Sequence, residues 1–181
     1  MTAADADLAA RLETEAQEYP DERGEIQLEA AQAWIRAGNL ERATRLLGDL
    51  IGAGGEDGCY ARVEMVELLL KDDRDAEAEG QLAALARDPA LHDGHCQLVA
   101  ELLAERRDLN GALKWYDRLV ARLSSEEIEA VRGPEGWLAF ASIPLRGRRE
   151  VRRELGLAPD ATDSAVRADY AGVVPREQTI P

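Results

Sequence analysis

Four side chains near the middle of the chain are of the types that hold a metal ion: Cys59, His92, His95 and Cys96. His92, His95 and Cys96 have the i, i+3, i+4 spacing of one helix face, and zinc accepts such sulfur and imidazole ligands. However, the Cys-x-x-Cys pair of common structural zinc sites is missing, and His92 precedes Asp93-Gly94, where we expect a helix to begin. We therefore expect two core thiols and two surface or capping imidazoles, with no metal and no cofactor.

The motifs of common enzyme classes are missing from the sequence. The run Gly52-Ala53-Gly54-Gly55 lacks the Lys-Ser/Thr of a phosphate-binding loop, and no predicted strand precedes it. Neither histidine has a serine or carboxylate partner at a diagnostic spacing, and adjacent carboxylates are expected by chance among 36 acidic residues. We therefore expect that the protein is not an enzyme.

A basic cluster interrupts the acidic composition near the C-terminus. It contains five arginines: Arg146, Arg148, Arg149, Arg152 and Arg153. These side chains could bind an acidic peptide, a phosphate or RNA. Because the cluster is short and has no interleaved aromatic residues, we favour the alternative that it pairs with acidic residues of this chain or of a second copy.

The charge of the whole chain limits its partners. The formal net charge is −14, of which residues 1–126 carry −13 and residues 127–181 carry −1. An acidic body argues against nucleic acid and anionic membrane surfaces as partners. The charge could simply keep the protein soluble, or it could form an acidic groove for cationic partners. No apolar run approaches the ~20 residues of a membrane span, and the N-terminus does not resemble a signal peptide, so we predict a cytoplasmic protein.

The elements that must position these groups are helices. Ala and Leu dominate the apolar content and aromatic residues make up only 4%, which is typical of closely packed helices rather than sheets. One short pattern occurs three times: Ala43 precedes Leu47, Ala78 precedes Leu82, and Ala112 precedes Tyr116, in each case by four residues. The three alanines lie 35 and 34 residues apart, and each follows a turn-like stretch that ends a helical pattern.

A helix–turn–helix unit with a period of about 34 residues resembles the tetratricopeptide repeat, over about residues 24–126. The resemblance implies an all-α fold, a right-handed superhelical stack of three repeats at 24–58, 59–92 and 93–126. In such a stack each repeat buries its apolar stripe only against its neighbours. The sequence departs from the family where a large aromatic is expected early in each first helix, since these positions are occupied by Gln27, Arg62 and Cys96.

The segments on either side of the repeats do not contain the repeated pattern. We expect an N-terminal helix within 1–23, ended by Pro20. Residues 127–157 are predicted to form C-terminal capping helices, with the apolar stretch Trp137–Ile143 covering the outer face of the last repeat. Residues 158–181 are predicted to form a mobile tail.

The resemblance also implies a concave groove lined by the first helix of each repeat. The peptide-binding residues expected there are Ile35, Arg36, Tyr60, Val63, Glu67, Lys71, Gln97, Glu101 and Glu105. Some family members bind a peptide's C-terminal carboxylate, but Glu67, Glu101 and Glu105 would repel one, so we expect a basic or apolar segment. The alternative for Ile35 and Val63 is that they only pack between helices.

These features predict a non-enzymatic adaptor or scaffold for protein–protein interaction, with a protein or peptide partner. Two alternatives remain open. The chain could self-associate as a homodimer through Trp137–Arg153, or it could be an accessory regulatory subunit of an enzyme encoded elsewhere.

Overall fold

The computed structural model describes residues 3–166 of the 181-residue chain. These residues form nine α-helices and two short 3-10 helices, and no β-strand occurs among them. The predicted all-α fold class is therefore confirmed. The chain divides into two compact units, Met1–His95 and Cys96–Pro181, which are described separately below.

In the first unit, the first five helices pack in sequence, each against the next. The helices are α1 (Ala3–Glu18), α2 (Arg23–Arg36), α3 (Leu40–Ala53), α4 (Gly55–Lys71), α5 (Asp75–Leu85) and the first turn of α6 (Asp93–Glu105). Contacts join α1 to α2, α2 to α3, α3 to α4 and α4 to α5, and α2 also contacts α4. The first helices of the predicted first and second repeats therefore lie side by side.

Small residues allow the helices of the first unit to approach closely. Ala30, Ala31 and Ala43 are fully buried. A Cβ atom on Gly58 would lie 3.0 Å from the carbonyl oxygen of Leu50, so α3 and α4 meet there at backbone distance. The glycine-rich run at 52–58 therefore belongs mainly to two helices rather than to a linker, because only Gly54 separates α3 from α4.

The same turn closes each of the three predicted helix pairs. Gly38, Asp73 and Arg107 have positive φ angles of 77°, 56° and 66°. The residue after each donates its backbone N–H to a carbonyl five residues earlier, and all three bonds measure 2.9 Å: Asn39 to Trp34, Arg74 to Leu69, and Asp108 to Leu103. A Schellman motif contains two such backbone bonds, and this one spans the larger number of residues. Its three occurrences have the spacing of the repeated alanines, which are also buried.

The second unit contains the remainder of α6, then α7 (Leu109–Val120), α8 (Ser125–Arg132) and α9 (Ser142–Glu154). A capping box between Ser124 and Glu127 begins α8. Helix α9 packs against α7. The short 3-10 helices, Gly136–Leu138 and Asp163–Ala165, contact α8 and α9.

The stretch Trp137–Ile143 does not form the predicted cover. Trp137, Leu138, Phe140 and Ile143 are 42%, 61%, 69% and 47% exposed. The hydrophobic core of this part of the second unit is formed instead by four buried side chains: Val131, Ala141, Leu145 and Val166. The spacing of apolar residues in Trp137–Ile143 is compatible with a buried helix face. However, the small Ala141 is the residue of this stretch that belongs to the core cluster.

A buried arginine joins three segments of the second unit. Arg148 Nε donates to Asp117 on α7 at 2.6 Å, Nη1 donates to Asp163 at 2.5 Å, and Nη2 donates to Asp160 at 2.7 Å. Burial alone would lower the pKa of Arg148, but its bonds to Asp160 and Asp117 outweigh that effect and raise it. The same contact holds the pKa of Asp160 far below its usual range.

This arginine also fixes residues that the sequence places in a mobile tail. Asp163 is fully buried and pairs with two guanidinium groups of α9, those of Arg148 and Arg152. These ion pairs hold residues 158–166 against α9. The remainder of the predicted tail, 167–181, lies outside the described residues.

The buried ion pairs of Arg148 predict a large stability effect. Replacing Arg148 by glutamine leaves the Asp163 carboxylate buried with Arg152 as its remaining ion-pair partner. We expect a loss of about 3 kcal/mol in the free energy of unfolding, measured by urea denaturation. This is the lower end of the range for a broken buried ion pair, because the buried charge loses one of its two partners. Arg153→Gln is the matched control, since Arg153 on the same helix pairs with exposed Glu150. An equal loss in both variants would contradict the role given to Arg148.

Candidate binding surface

The contact between α2 and α4 creates a surface that carries most of the predicted peptide-binding residues of the first unit. On α4, Tyr60, Glu64, Glu67 and Lys71 follow one another at helical spacing. A side-chain bond ties this row to α2, because Gln32 Nε2 donates to Glu64 Oε1 at 2.8 Å. We call this surface the α2–α4 face and define it by Gln32, Ile35, Arg36, Tyr60, Glu64, Glu67 and Lys71.

The predicted residues on this face differ in how accessible they are. Ile35, Tyr60 and Glu67 are half-buried, whereas Arg36 and Lys71 are exposed. Lys71 Nζ lies 2.5 Å from Glu67 Oε1, and Arg36 Nε lies 3.5 Å from Asp5 Oδ1. Val63 is different, since it is buried and belongs to the core of the first unit. Of the two interpretations of Val63, the structure therefore favours packing between helices.

Glu64 is the residue on this face that the sequence analysis missed. Burial raises its pKa most, and the nearby Glu67 carboxylate raises it further, while the bond from Gln32 and the charge of Lys71 lower it. A half-buried carboxylate beside a second one is a region of strong negative potential. Periodicity could not select Glu64, because Val63 and Glu64 are neighbours on the helix and either could be the inward residue.

The other three predicted residues lie on α6, in the second unit. Gln97 Nε2 donates to Glu101 Oε1 at 2.9 Å, and Glu105 is exposed. Glu101 influences Tyr116 of α7, whose pKa is raised to about 12 by burial and then by this carboxylate. These three side chains form one row on α6, because they follow one another at intervals of four residues.

The two histidines lie together with Tyr60 in the first unit. The ring centroids of His92 and His95 are 3.7 Å apart, and those of Tyr60 and His95 are 4.3 Å apart. His95 Nδ1 accepts the His92 backbone N–H at 3.1 Å, which places the ring proton of neutral His95 on Nε2. His95 is fully buried, so it is not the surface imidazole that the sequence predicts.

His92 fits its prediction as a capping residue. Its Nδ1 accepts the backbone N–H of Gly94 at 3.1 Å in the first turn of α6, and its Nε2 lies 3.0 Å from Glu56 Oε1. Both cysteines are buried, as predicted. Burial, followed by Asp88, raises the pKa of Cys59 to about 11, so its thiol stays protonated at neutral pH. A protonated thiol is a poor nucleophile and a poor metal ligand.

Burial of His95 predicts a pH-dependent stability. Burial and then His92 lower the pKa of His95 to about 4, although Glu56 and Asp88 act in the opposite direction. The unfolded chain therefore takes up this proton first, near its ordinary pKa of about 6.5, and stability falls as the pH decreases from there towards about 4. Because His95→Gln does not titrate, we expect the variant to gain about 2 kcal/mol relative to wild type between about pH 7 and about pH 5.

Urea denaturation at both pH values measures this gain. A difference between wild type and His95→Gln that stays constant with pH would contradict the assignment of a neutral, buried imidazole.

Within 3–166, no group of three or more His, Cys, Asp or Glu side chains is placed to hold a metal ion. Each helix in the same range is too short or too polar to cross a membrane.

The chain was also compared with protein-family models, with curated proteins and with solved structures, and none of them matches it. What the protein does must therefore be inferred from the contacts, burial and charge of its own residues.

Proposed function

We propose that this chain is a non-enzymatic interaction module, a tetratricopeptide-like adaptor that binds a basic or apolar segment of another protein. The α2–α4 face is the proposed binding surface. The observation that carries the proposal is the side-by-side contact of α2 and α4, because it places half-exposed apolar and acidic side chains on one surface. The three equivalent turns support a repeated helix–turn–helix unit. The right-handed superhelical stack of these units is part of the proposal and rests on the resemblance to the tetratricopeptide repeat alone.

The chemistry of the face suits a cationic ligand better than an anionic one. The Glu67–Lys71 pair is open to solvent, since the two side chains are 40% and 57% exposed, and i, i+4 pairs on a helix surface contribute only about 0.3–0.5 kcal/mol. A lysine or arginine from a partner could therefore displace Lys71 at little cost and approach Glu64 as well. A bound cation would also favour the charged form of Glu64, whose pKa is raised in the free protein.

Apolar contacts would supply the remaining affinity. Tyr60 and Ile35 are half-buried, so each still has surface to cover. Fully burying such a side chain contributes at most about 1.5–3 kcal/mol, and their partial burial leaves less than that. We infer that the ligand presents a basic residue together with one or two apolar side chains.

Charge reversal on the α2–α4 face tests this function. Peptides selected from a displayed random library against wild type should be enriched in Lys or Arg interleaved with apolar residues. Their dissociation constants should increase about tenfold in Glu67→Lys, because an attraction is replaced by a repulsion. Fluorescence anisotropy with the synthesised peptides measures this change.

Two variants control this experiment. Asp49→Lys makes the same reversal at an exposed site on α3 and should leave the affinity unchanged. Glu101→Lys reports separately whether α6 contributes to binding. Equal weakening by Glu67→Lys and Asp49→Lys would indicate general electrostatic attraction and would refute a site on the α2–α4 face.

A second candidate function is self-association, which the exposed apolar residues of the second unit favour. Trp137, Leu138, Phe140 and Ile143 expose large apolar surface within seven residues. Monomeric soluble proteins seldom leave a large apolar patch uncovered. We propose that these four side chains, together with the exposed side of α9, form a contact between two copies of the chain.

Sedimentation over a concentration series tests self-association. Wild type should shift from monomer to dimer as the concentration rises, and Phe140→Asp should remain monomeric because it places a charge at the most exposed apolar position. Leu98→Asp is the matched control, since Leu98 is also exposed in the second unit but lies on α6. A wild-type protein that is monomeric at every concentration would exclude this candidate.

A further inference from the structure

A cavity of about 420 Å³ lies in the second unit, where α9 ends. Three arginines of α9 line one side: Arg149, Arg152 and Arg153. The segment after the helix supplies an opposite wall that includes Leu157 and Pro159. This wall exists because Gly156 has a φ of 73° and Leu157 N–H bonds to the Arg152 carbonyl at 2.9 Å, which turns the chain back.

One of the arginines is held in place by the protein itself. Arg152 Nε lies 2.7 Å from Asp163 Oδ2, and Nη2 donates to the Ala158 carbonyl at 2.7 Å. Its Nη1 lies 3.7 Å from the nearest Asp160 oxygen, which is too long for a hydrogen bond. The guanidinium group is therefore oriented in advance and still has a donor to offer.

A second arginine of the cavity, Arg149, has no ion pair within the part of the chain that the structure describes. Arg149 Nη1 donates to the Val166 carbonyl at 2.7 Å, and no carboxylate lies within ion-pair distance of Arg149 among residues 3–166. Arg153 pairs with Glu150, and Arg152 pairs with Asp163. The cavity wall therefore carries one cation, Arg149, whose charge none of the described carboxylates balances.

We propose that this cavity binds a small organic monoanion, a carboxylate attached to an apolar group. Guanidinium groups match the two oxygens of a carboxylate, and Arg149 and Arg152 each have donors that no described acceptor uses. Leu157 is partly exposed and would contact the apolar part of the ligand. A dianion such as phosphate fits less well, since one uncompensated cation faces it and the Asp163 carboxylate lies on the cavity wall. The site is independent of the α2–α4 face.

Binding is measured on the full chain by NMR titration with three probes: N-acetyl-leucine, its uncharged amide, and inorganic phosphate. We expect N-acetyl-leucine to shift the signals of Arg149, Arg152 and Leu157, and to bind at least about tenfold more tightly than either other probe. Arg149→Gln should weaken its binding at least about tenfold. Arg146→Gln should change the affinity for N-acetyl-leucine less than about twofold, because Arg146 does not line the cavity. It is a matched control, since within residues 3–166 its side chain also bonds to a backbone carbonyl, that of Ser142.

Several results would overturn the proposal. They are equal binding of the acid and its amide, tighter binding of phosphate, equal effects of the two arginine variants, and no binding of any probe. If Arg149→Gln fails to fold by circular dichroism, the comparison of the acid with the amide on wild type decides alone.

Discussion

The three predicted helix pairs depend on the same backbone hydrogen bond at the turn that joins their helices. Asn39, Arg74 and Asp108 each donate to a carbonyl five residues earlier, which is possible only because the preceding residue has a positive φ. At Asp73 and Arg107 this conformation costs about 1 kcal/mol or more, since neither residue is glycine. The turn compensates by satisfying carbonyl groups at the helix end and by starting the next helix at a fixed angle. The alanine four residues later then lies buried where the two helices meet.

The consequences of this geometry reach the proposed binding surface. Closely packed pairs, α2 with α3 and α4 with α5, leave their first helices in contact with each other. Contact between α2 and α4 partly buries the side chains that lie along it, so Glu64 loses water. The nearby charge of Lys71 offsets this loss only in part, because the pKa of Glu64 remains raised. The Gln32 amide only partly replaces that water. A carboxylate in this state interacts more favourably with a cationic ligand than a fully hydrated one does.

The parts of the structure that could be predicted are those specified by local sequence. The three turns and their alanines follow from helical spacing within about ten residues, and the helices flanking them were predicted for the same reason. The pairing of the arginine cluster with acidic residues of this chain was predicted and is confirmed at Arg148, but its partners were not predicted. Asp117 and Asp163 lie 31 and 15 residues away, and periodicity does not link them to Arg148. The exposure of Phe140 was missed for a related reason: an apolar stripe indicates a face that avoids water, but not what covers it. His95 was misplaced because its burial depends on Tyr60 of α4.

The two units differ in their balance of acidic and basic residues, and we therefore expect them to bind ligands of different charge. Residues 1–95 hold 22 acidic and 9 basic residues, whereas residues 96–181 hold 14 and 13. The second unit pairs its arginines internally, since Asp117, Asp160 and Asp163 all contact Arg148. The first unit cannot do this, because it has too few cations, so most of its acidic charge must face water, salt or a partner. Cationic ligands would therefore be drawn to the first unit, and anionic ones would be tolerated only in the second, where Arg149 has no carboxylate partner among residues 3–166. If both proposed sites are occupied, they must bind ligands of opposite charge, so an occupant of one is a poor competitor for the other.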